Sequence, residues 1–265
     1  MQRSRDVTVE VGHIAVALRT NNRPLIRLLE QRFRRFLAPS AVPAFQFDIT
    51  VVPQSNYDEE ADLSVEVRDG AWIMRRGDFH AEWDVAERRG HIRQTLNPYA
   101  VDSILRIVHT LVLSMEGGFL LHASSAVRNG RAYVFTGPSG AGKSTIVGLA
   151  PDDVTVLTDE ISYLRRTGDG YVAFGTPFAG ELSDAGEPAS APVAALFQLG
   201  RGEDNRHERL DSAQTVKTLM RNILFFAGDR RLVGRVLDTA CDFASCVPAY
   251  ALRFSPDQRV WSTFA

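Results

Sequence analysis

Over the first hundred residues, apolar and polar positions alternate in short runs. Val7-Thr8-Val9-Glu10-Val11 and Ile14-Ala15-Val16-Ala17-Leu18 each predict a strand. The period then changes. Pro24 sits where the first turn of a helix tolerates proline, and Leu25, Leu28, Leu29, Phe33 and Leu37 recur at helical spacing. After an apolar run from Phe45 to Val52 the alternation returns in Leu63 to Val67, Trp72 to Met74, Phe79 to Val85 and His91 to Leu96. Turn signals such as Asp69-Gly70 and Gly77-Asp78 come about every ten residues, which predicts a mainly antiparallel sheet. Trp72, Phe79 and Trp83 fall inside these strands and are assigned to packing rather than to a recognition face.

From Pro98 the pattern is helical. Val101, Ile104, Leu105, Val108, Leu111, Val112 and Met115 form one stripe, and Gly117-Gly118 ends it. Phe119 to Val127 and Arg131 to Phe135 read as strands joined at Asn129-Gly130, a pair suited to a tight hairpin turn. A short helix is expected from Lys143 to Leu149, then a buried strand at Val154 to Leu157. Next come a hairpin (Ile161 to Arg165, Tyr171 to Phe174), a strand at Ala195 to Leu199, and helices from Asp211 to Phe226 and Arg230 to Cys246. The polar stretch from Gly200 to Arg209 reads as a mobile or substrate-gripping loop. Arg201, Arg206 and Arg209 flank this loop and Arg221 could point at phosphate, but all four are assigned to solvated faces. The predicted class is α/β with a mixed sheet. The predicted organisation is a β-rich region with one helix over residues 1–97 and a second domain over 98–265, the one that carries the glycine-rich segment considered next.

The candidate chemistry lies where the second hairpin strand runs into Gly137-Pro138-Ser139-Gly140-Ala141-Gly142-Lys143-Ser144. The pattern G-x-x-x-x-G-K-[ST] is complete, and chance would produce it in about one chain in a hundred of this length. It follows a strand and opens a helix, the setting in which glycines let backbone amides wrap a triphosphate. Gly137, Ser139, Gly140, Ala141, Gly142, Lys143, Ser144 and Thr145 are therefore candidates for binding ATP. Lys143 would reach the β and γ phosphates, and the Ser144 hydroxyl would hold Mg²⁺. The next strand ends in Thr158-Asp159-Glu160, which sets two carboxylates beside this loop. One can position Mg²⁺ and the other can accept a proton from an attacking hydroxyl. No Asn-Lys-x-Asp guanine-reading motif appears, nor the late acid-tipped strand of common ATPases.

Composition changes the picture only by exclusion. The 265 residues are 45% hydrophobic and 23% charged, with a net charge of −2, which gives no electrostatic reason to expect nucleic acid as a partner. The opening residues alternate without an apolar core, so no signal peptide is expected, and no apolar run approaches the length of a membrane span. Cys241 and Cys246 offer neither a disulfide framework nor a zinc spacing. They are expected to be buried thiols in a protein of the reducing cytoplasm. A homo-oligomer is compatible with the sequence.

Taken together, four features resemble the catalytic domain of HPr serine kinase/phosphorylase, whose core is shared with phosphoenolpyruvate carboxykinases. They are Leu121-His122-Ala123-Ser124-Ser125-Ala126-Val127, Asn129-Gly130, the 137–145 loop and Thr158-Asp159-Glu160. The likeness covers about residues 110 to 255. In Gly175 to Glu181 and Val247 to Phe254 it is closer to small HPr-kinase-like proteins, some of which are tailoring kinases of ribosomally made peptides. The resemblance implies His122 near the phosphates or metal, and Asp159 as the base that takes the proton from a serine hydroxyl. It implies Glu160 as a metal ligand and Glu181 as a further carboxylate in the metal region. The reading is a Mg-ATP-dependent kinase acting on a hydroxyl of a peptide or small protein. A small-molecule alcohol remains open as acceptor, and so does an ATP-binding accessory protein without phosphotransfer; a plain hydrolase fits less well.

Overall fold

The structure, a computed structural model, describes residues 5–53, 62–168, 170–178, 180 and 186–264. It contains two compact units, Met1–His109 with Phe226–Asp229, and Thr110–Phe225 with Arg230–Ala265.

The first unit holds β1 (Arg5–Val11), β2 (Ile14–Thr20), α1 (Arg23–Arg32), β3 (Phe45–Val51), β4 (Ser64–Arg68), β5 (Ala71–Arg76), β6 (Phe79–Asp84) and β7 (Arg89–Gln94). Gly12 and His13 both take positive φ (59° and 63°) and close the β1/β2 hairpin. Asn22 caps α1 by accepting from the Leu25 amide at 2.9 Å, and Leu25, Ile26 and Leu29 are buried. The helical spacing carries only to Phe33. Leu37 lies beyond the helix and forms a bridge with Val9. The strands form one sheet in the order β1-β2-β3-β7-β6-β5-β4. Most pairs are antiparallel, as the turn spacing predicts, but β2–β3 and β3–β7 are parallel. The cause is connectivity: α1 carries the chain across from β2, so β3 starts at the same end. Trp72, Phe79 and Trp83 are buried, with Phe45 and Trp83 edge to face at 5.1 Å.

α2 (Pro98–Glu116) comes next, and the second unit then carries β8 (Gly118–Arg128), β9 (Arg131–Thr136), α3 (Lys143–Gly148), β10 (Thr155–Thr158), β11 (Ile161–Thr167) and β12 (Gly170–Phe174). They are followed by β13 (Ser190–Arg201), β14 (Arg206–Arg209), α4 (Ser212–Asn222), β15 (Ile223–Leu224), α5 (Arg230–Cys246) and β16 (Ala249–Phe254). The sheet path is β10-β8-β11-β12-β13-β16-β14; β9 bridges β8 and β13, and β15 pairs with β8. Asn129 and Gly130, at φ 51° and 71°, make the expected β8/β9 turn. β9 pairs parallel with β13, which pairs parallel with β16, so the class is mixed α/β.

Both faces of this sheet are covered. Ala132 and Val134 of β9 point to a core with Leu219 and Phe243 from α4 and α5. Tyr133 and Phe135 point to one with Ile146 and Val147 of α3 and Trp261 and Phe264 near the chain end. A strand buried on both sides must be apolar throughout, which is why β9 reads as a continuous run.

Three expectations are corrected. The helix from Asp211 stops at Asn222 instead of Phe226, because Ile223 turns extended and pairs with Leu121. The stretch from Gly200 to Arg209 is held down: Arg201 ends β13, and β14 pairs antiparallel with β16. Cys241 and Cys246 are free thiols, but exposed rather than buried, since α5 shows their side of the helix to solvent.

Candidate active site

β9 delivers the chain to the glycine-rich loop, and α3 takes it away. Gly142 caps α3 at φ 101°, and a Cβ there would lie 2.8 Å from the Phe254 ring, so only glycine fits. Three further bonds fix the loop's flanks. Ser124 Oγ donates to the Lys143 carbonyl at 2.9 Å, Thr136 Oγ1 to the His122 carbonyl at 3.0 Å, and Trp261 Nε1 to the Ile146 carbonyl at 2.9 Å. Even-numbered β8 residues therefore face the loop, which is why His122 looks toward it and Leu121 toward the opposite core.

A cavity of about 580 Å³ opens above the loop. His122, Ser139, Gly140, Gly142, Lys143, Ser144, Thr145, Asp159 and Glu160 all line it. Gly137 contributes its carbonyl, which accepts the Lys143 ammonium at 3.1 Å, alongside that of Pro138 at 3.2 Å. Ala141 points away and packs in the α3 core. Glu181 lies outside the described residues.

The carboxylates arrive from the far side of β8. β10 pairs with β8 at Thr155 to Thr158, and the Ala123 amide then donates to the Glu160 carbonyl at 2.9 Å. Thr158 Oγ1 accepts from the Glu160 and Ile161 amides, at 3.3 and 3.2 Å, and tightens the turn between them. Asp159 is buried, and its Oδ1 accepts the Gly180 amide at 2.9 Å. Burial, and secondarily the Lys143 charge, push the His122 imidazole below its ordinary pKa, so it is uncharged at neutral pH. Among the described residues no group of three or more His, Cys, Asp and Glu side chains is preassembled to hold a metal. Ser144 and Glu160 nonetheless present hard oxygen donors to the same space, the type Mg²⁺ takes beside phosphate oxygens and water.

Two cavity residues were not singled out by sequence reasoning. Gly180 lies in the Gly175 to Glu181 segment that carries the resemblance, but the resemblance gives it no role of its own. Arg201, assigned to a solvated face, ends β13 and reaches Gly140 O with Nη2 at 3.4 Å. Only the parallel β9–β13 pairing reveals it, because that pairing sets the end of β13 beside the loop.

A family model described as SynChlorMet cassette protein ScmC matches residues 93–265. The chain belongs to that family. The matched span includes every cavity residue and all of β8 to β16. Among solved structures the chain is similar to the Hpr(Ser) kinase/phosphatase from Coxiella burnetii, at 12% identity and a TM-score of 0.33, over 55% of this chain and 85% of that one. No curated protein matches the chain. Among the described residues no helix is long and apolar enough to cross a membrane.

Proposed function

We propose that the chain is a Mg-ATP-dependent kinase that transfers the γ-phosphate to a hydroxyl, with serine of a peptide or small protein as the favoured acceptor. The observation that carries the reading is the shared cavity: the loop that would hold a triphosphate and the buried carboxylate that would take a proton face one space. A volume of about 580 Å³ lies within the range of nucleotide-sized pockets.

The steps follow from these residues. Amides of the 139–145 loop and the Lys143 ammonium hold the phosphates in place of water. Lys143 now bonds the Gly137 and Pro138 carbonyls, which orients its ammonium in the loop, and with three N–H donors it can still reach a phosphate oxygen. The acceptor oxygen attacks the γ-phosphorus, the bond to the β–γ bridging oxygen breaks, and ADP leaves with that electron pair. The acceptor proton passes to the Asp159 carboxylate. His122, neutral, is suited to hydrogen-bond a phosphate oxygen or the acceptor hydroxyl. Ser144 and Glu160 would hold Mg²⁺, which when bound supplies positive charge opposite the phosphate oxygens.

The test is label transfer from [γ-³²P]ATP to a pool of serine-containing peptides, with wild type and Asp159→Asn compared, each with and without EDTA. Labelled peptide from wild type but not from Asp159→Asn, with MgATP binding retained by both, supports the kinase. Binding without any labelled acceptor moves the protein to a nucleotide-dependent accessory role. If wild type binds no nucleotide, the reading is wrong from its first step.

A further inference from the structure

We propose that Arg201 is the second phosphate-contacting cation of this site, acting on the γ-phosphate; the inference rests on the kinase reading and extends it. Four observations lead there. First, the cavity's fixed positive charge is sparse. Among the described residues the cationic side chains lining it are Lys143 and Arg201, set against the carboxylates of Asp159 and Glu160, and burial holds His122 below its ordinary pKa. A nucleoside triphosphate brings several negative charges, and transfer spreads more onto the γ-phosphate oxygens.

Second, the backbone at Arg201 is fixed while its side chain is not. β13 pairs in parallel with β16 through Arg201–Phe254, and the Gly202 amide donates to the Phe254 carbonyl at 3.1 Å. Gly202 fits because a Cβ there would lie 2.9 Å from the Cβ of Arg253. The guanidinium, by contrast, is exposed. Among the described residues it pairs with no carboxylate, and its one hydrogen bond, to Gly140 O at 3.4 Å, is long. A planar fork on a rigid strand end, with little to give up, is well placed to close on phosphate oxygens.

Third, its direction fits. In the β13–β16 register Arg201 shares the sheet face of Leu199, Leu252 and Phe254, the face on which α3 and its loop sit. Fourth, the cavity that Arg201 lines is the one holding His122, Asp159 and Glu160. That is the transfer end of the site, so the contact is assigned to the terminal phosphate.

The experiment is calorimetric binding of MgADP and of the non-hydrolysable analogue AMP-PNP with Mg²⁺ to wild type, Arg201→Ala, Arg201→Lys and the control Arg206→Gln. Arg206 is exposed, does not line the cavity, and pairs with Asp204, so its loss removes one nearby surface charge, and that surface pair, without touching the cavity. Arg201→Ala should weaken AMP-PNP by about tenfold or more while MgADP changes by less than about threefold. Arg201→Lys should fall between, and Arg206→Gln should match wild type. Equal losses for both nucleotides, no loss for either, or the same loss in Arg206→Gln would overturn the proposal. Wild type binding neither nucleotide would instead overturn the kinase reading, and this inference with it.

Discussion

Gly180→Ala probes how Asp159 is held. The added Cβ would lie 2.8 Å from the Cβ of Glu160 and 3.0 Å from Asp159 Oδ2. Carbon atoms pack at about 3.5–4.0 Å, so a displacement of about 0.7 Å is needed. It can be taken up in two ways. The Asp159–Glu160 turn resists, because Thr158 Oγ1 and the Ala123 amide hold it from both sides. Gly180 is exposed and yields more easily, at the expense of the 2.9 Å bond from its amide to Asp159 Oδ1. Losing a hydrogen bond to a charged group, or overpacking at this level, costs about 1–3 kcal/mol. For a unit of this size, at about 2–4 °C per kcal/mol, that lowers the melting temperature by roughly 2–12 °C. The larger effect falls on the reaction, because a base displaced by about 1 Å loses about tenfold to a hundredfold in rate. Calorimetric melting, MgATP binding and label transfer are the assays. The expected result is a small drop in melting temperature, MgATP affinity within about threefold of wild type, and transfer reduced at least about tenfold. In an Asp159→Asn background the same change should cost no further transfer, since its effect runs through that carboxylate. Wild-type transfer and melting in Gly180→Ala would refute the reasoning.

Three further outcomes follow from the structure. Lys143→Met should weaken MgATP binding at least about tenfold by removing the ammonium from the phosphates, and should raise the His122 pKa, since the Lys143 charge helps depress it; calorimetry and imidazole NMR titration read the two effects. His109 is wholly buried and its pKa is lowered to about 4, so below its unfolded value near 6.5 the unfolded chain binds a proton that the folded one does not. Stability should therefore fall as the pH drops from about 6.5 to about 4, by up to about 3 kcal/mol, and level off below, a slope that His109→Leu should remove in denaturant titrations. Both cysteines should react with a thiol reagent such as Ellman's in the native protein, because both are exposed; a single reactive thiol, or none, would contradict the α5 orientation.

Most secondary structure was legible because it is written in local periods. The Asn129-Gly130 turn, the helix α2 and the strand–glycine loop–helix of the phosphate site each depend on residues adjacent in the chain, although α2 is buried on more than the predicted stripe and exposes Met115. For the same reason the sequence alone brought Lys143, Ser144, Asp159 and Glu160 forward as one group: one short helix and one strand separate them. What it left open depends on pairing between distant segments. Whether the helix from Asp211 continues past Asn222 is settled by Leu121, about a hundred residues earlier, offering a free strand edge. Whether the polar stretch after Leu199 moves is settled by β16. Arg201 looked like one charged loop residue among several, and only the parallel registers of β13 with β9 and β16 carry it to the phosphate loop. Gly180 meets Asp159 only because β10 ends in a buried turn facing it, a contact between main-chain and side-chain atoms with no local sequence pattern. Local chemistry thus determined which residues could bind and react; the long-range strand registers decided which others stand beside them.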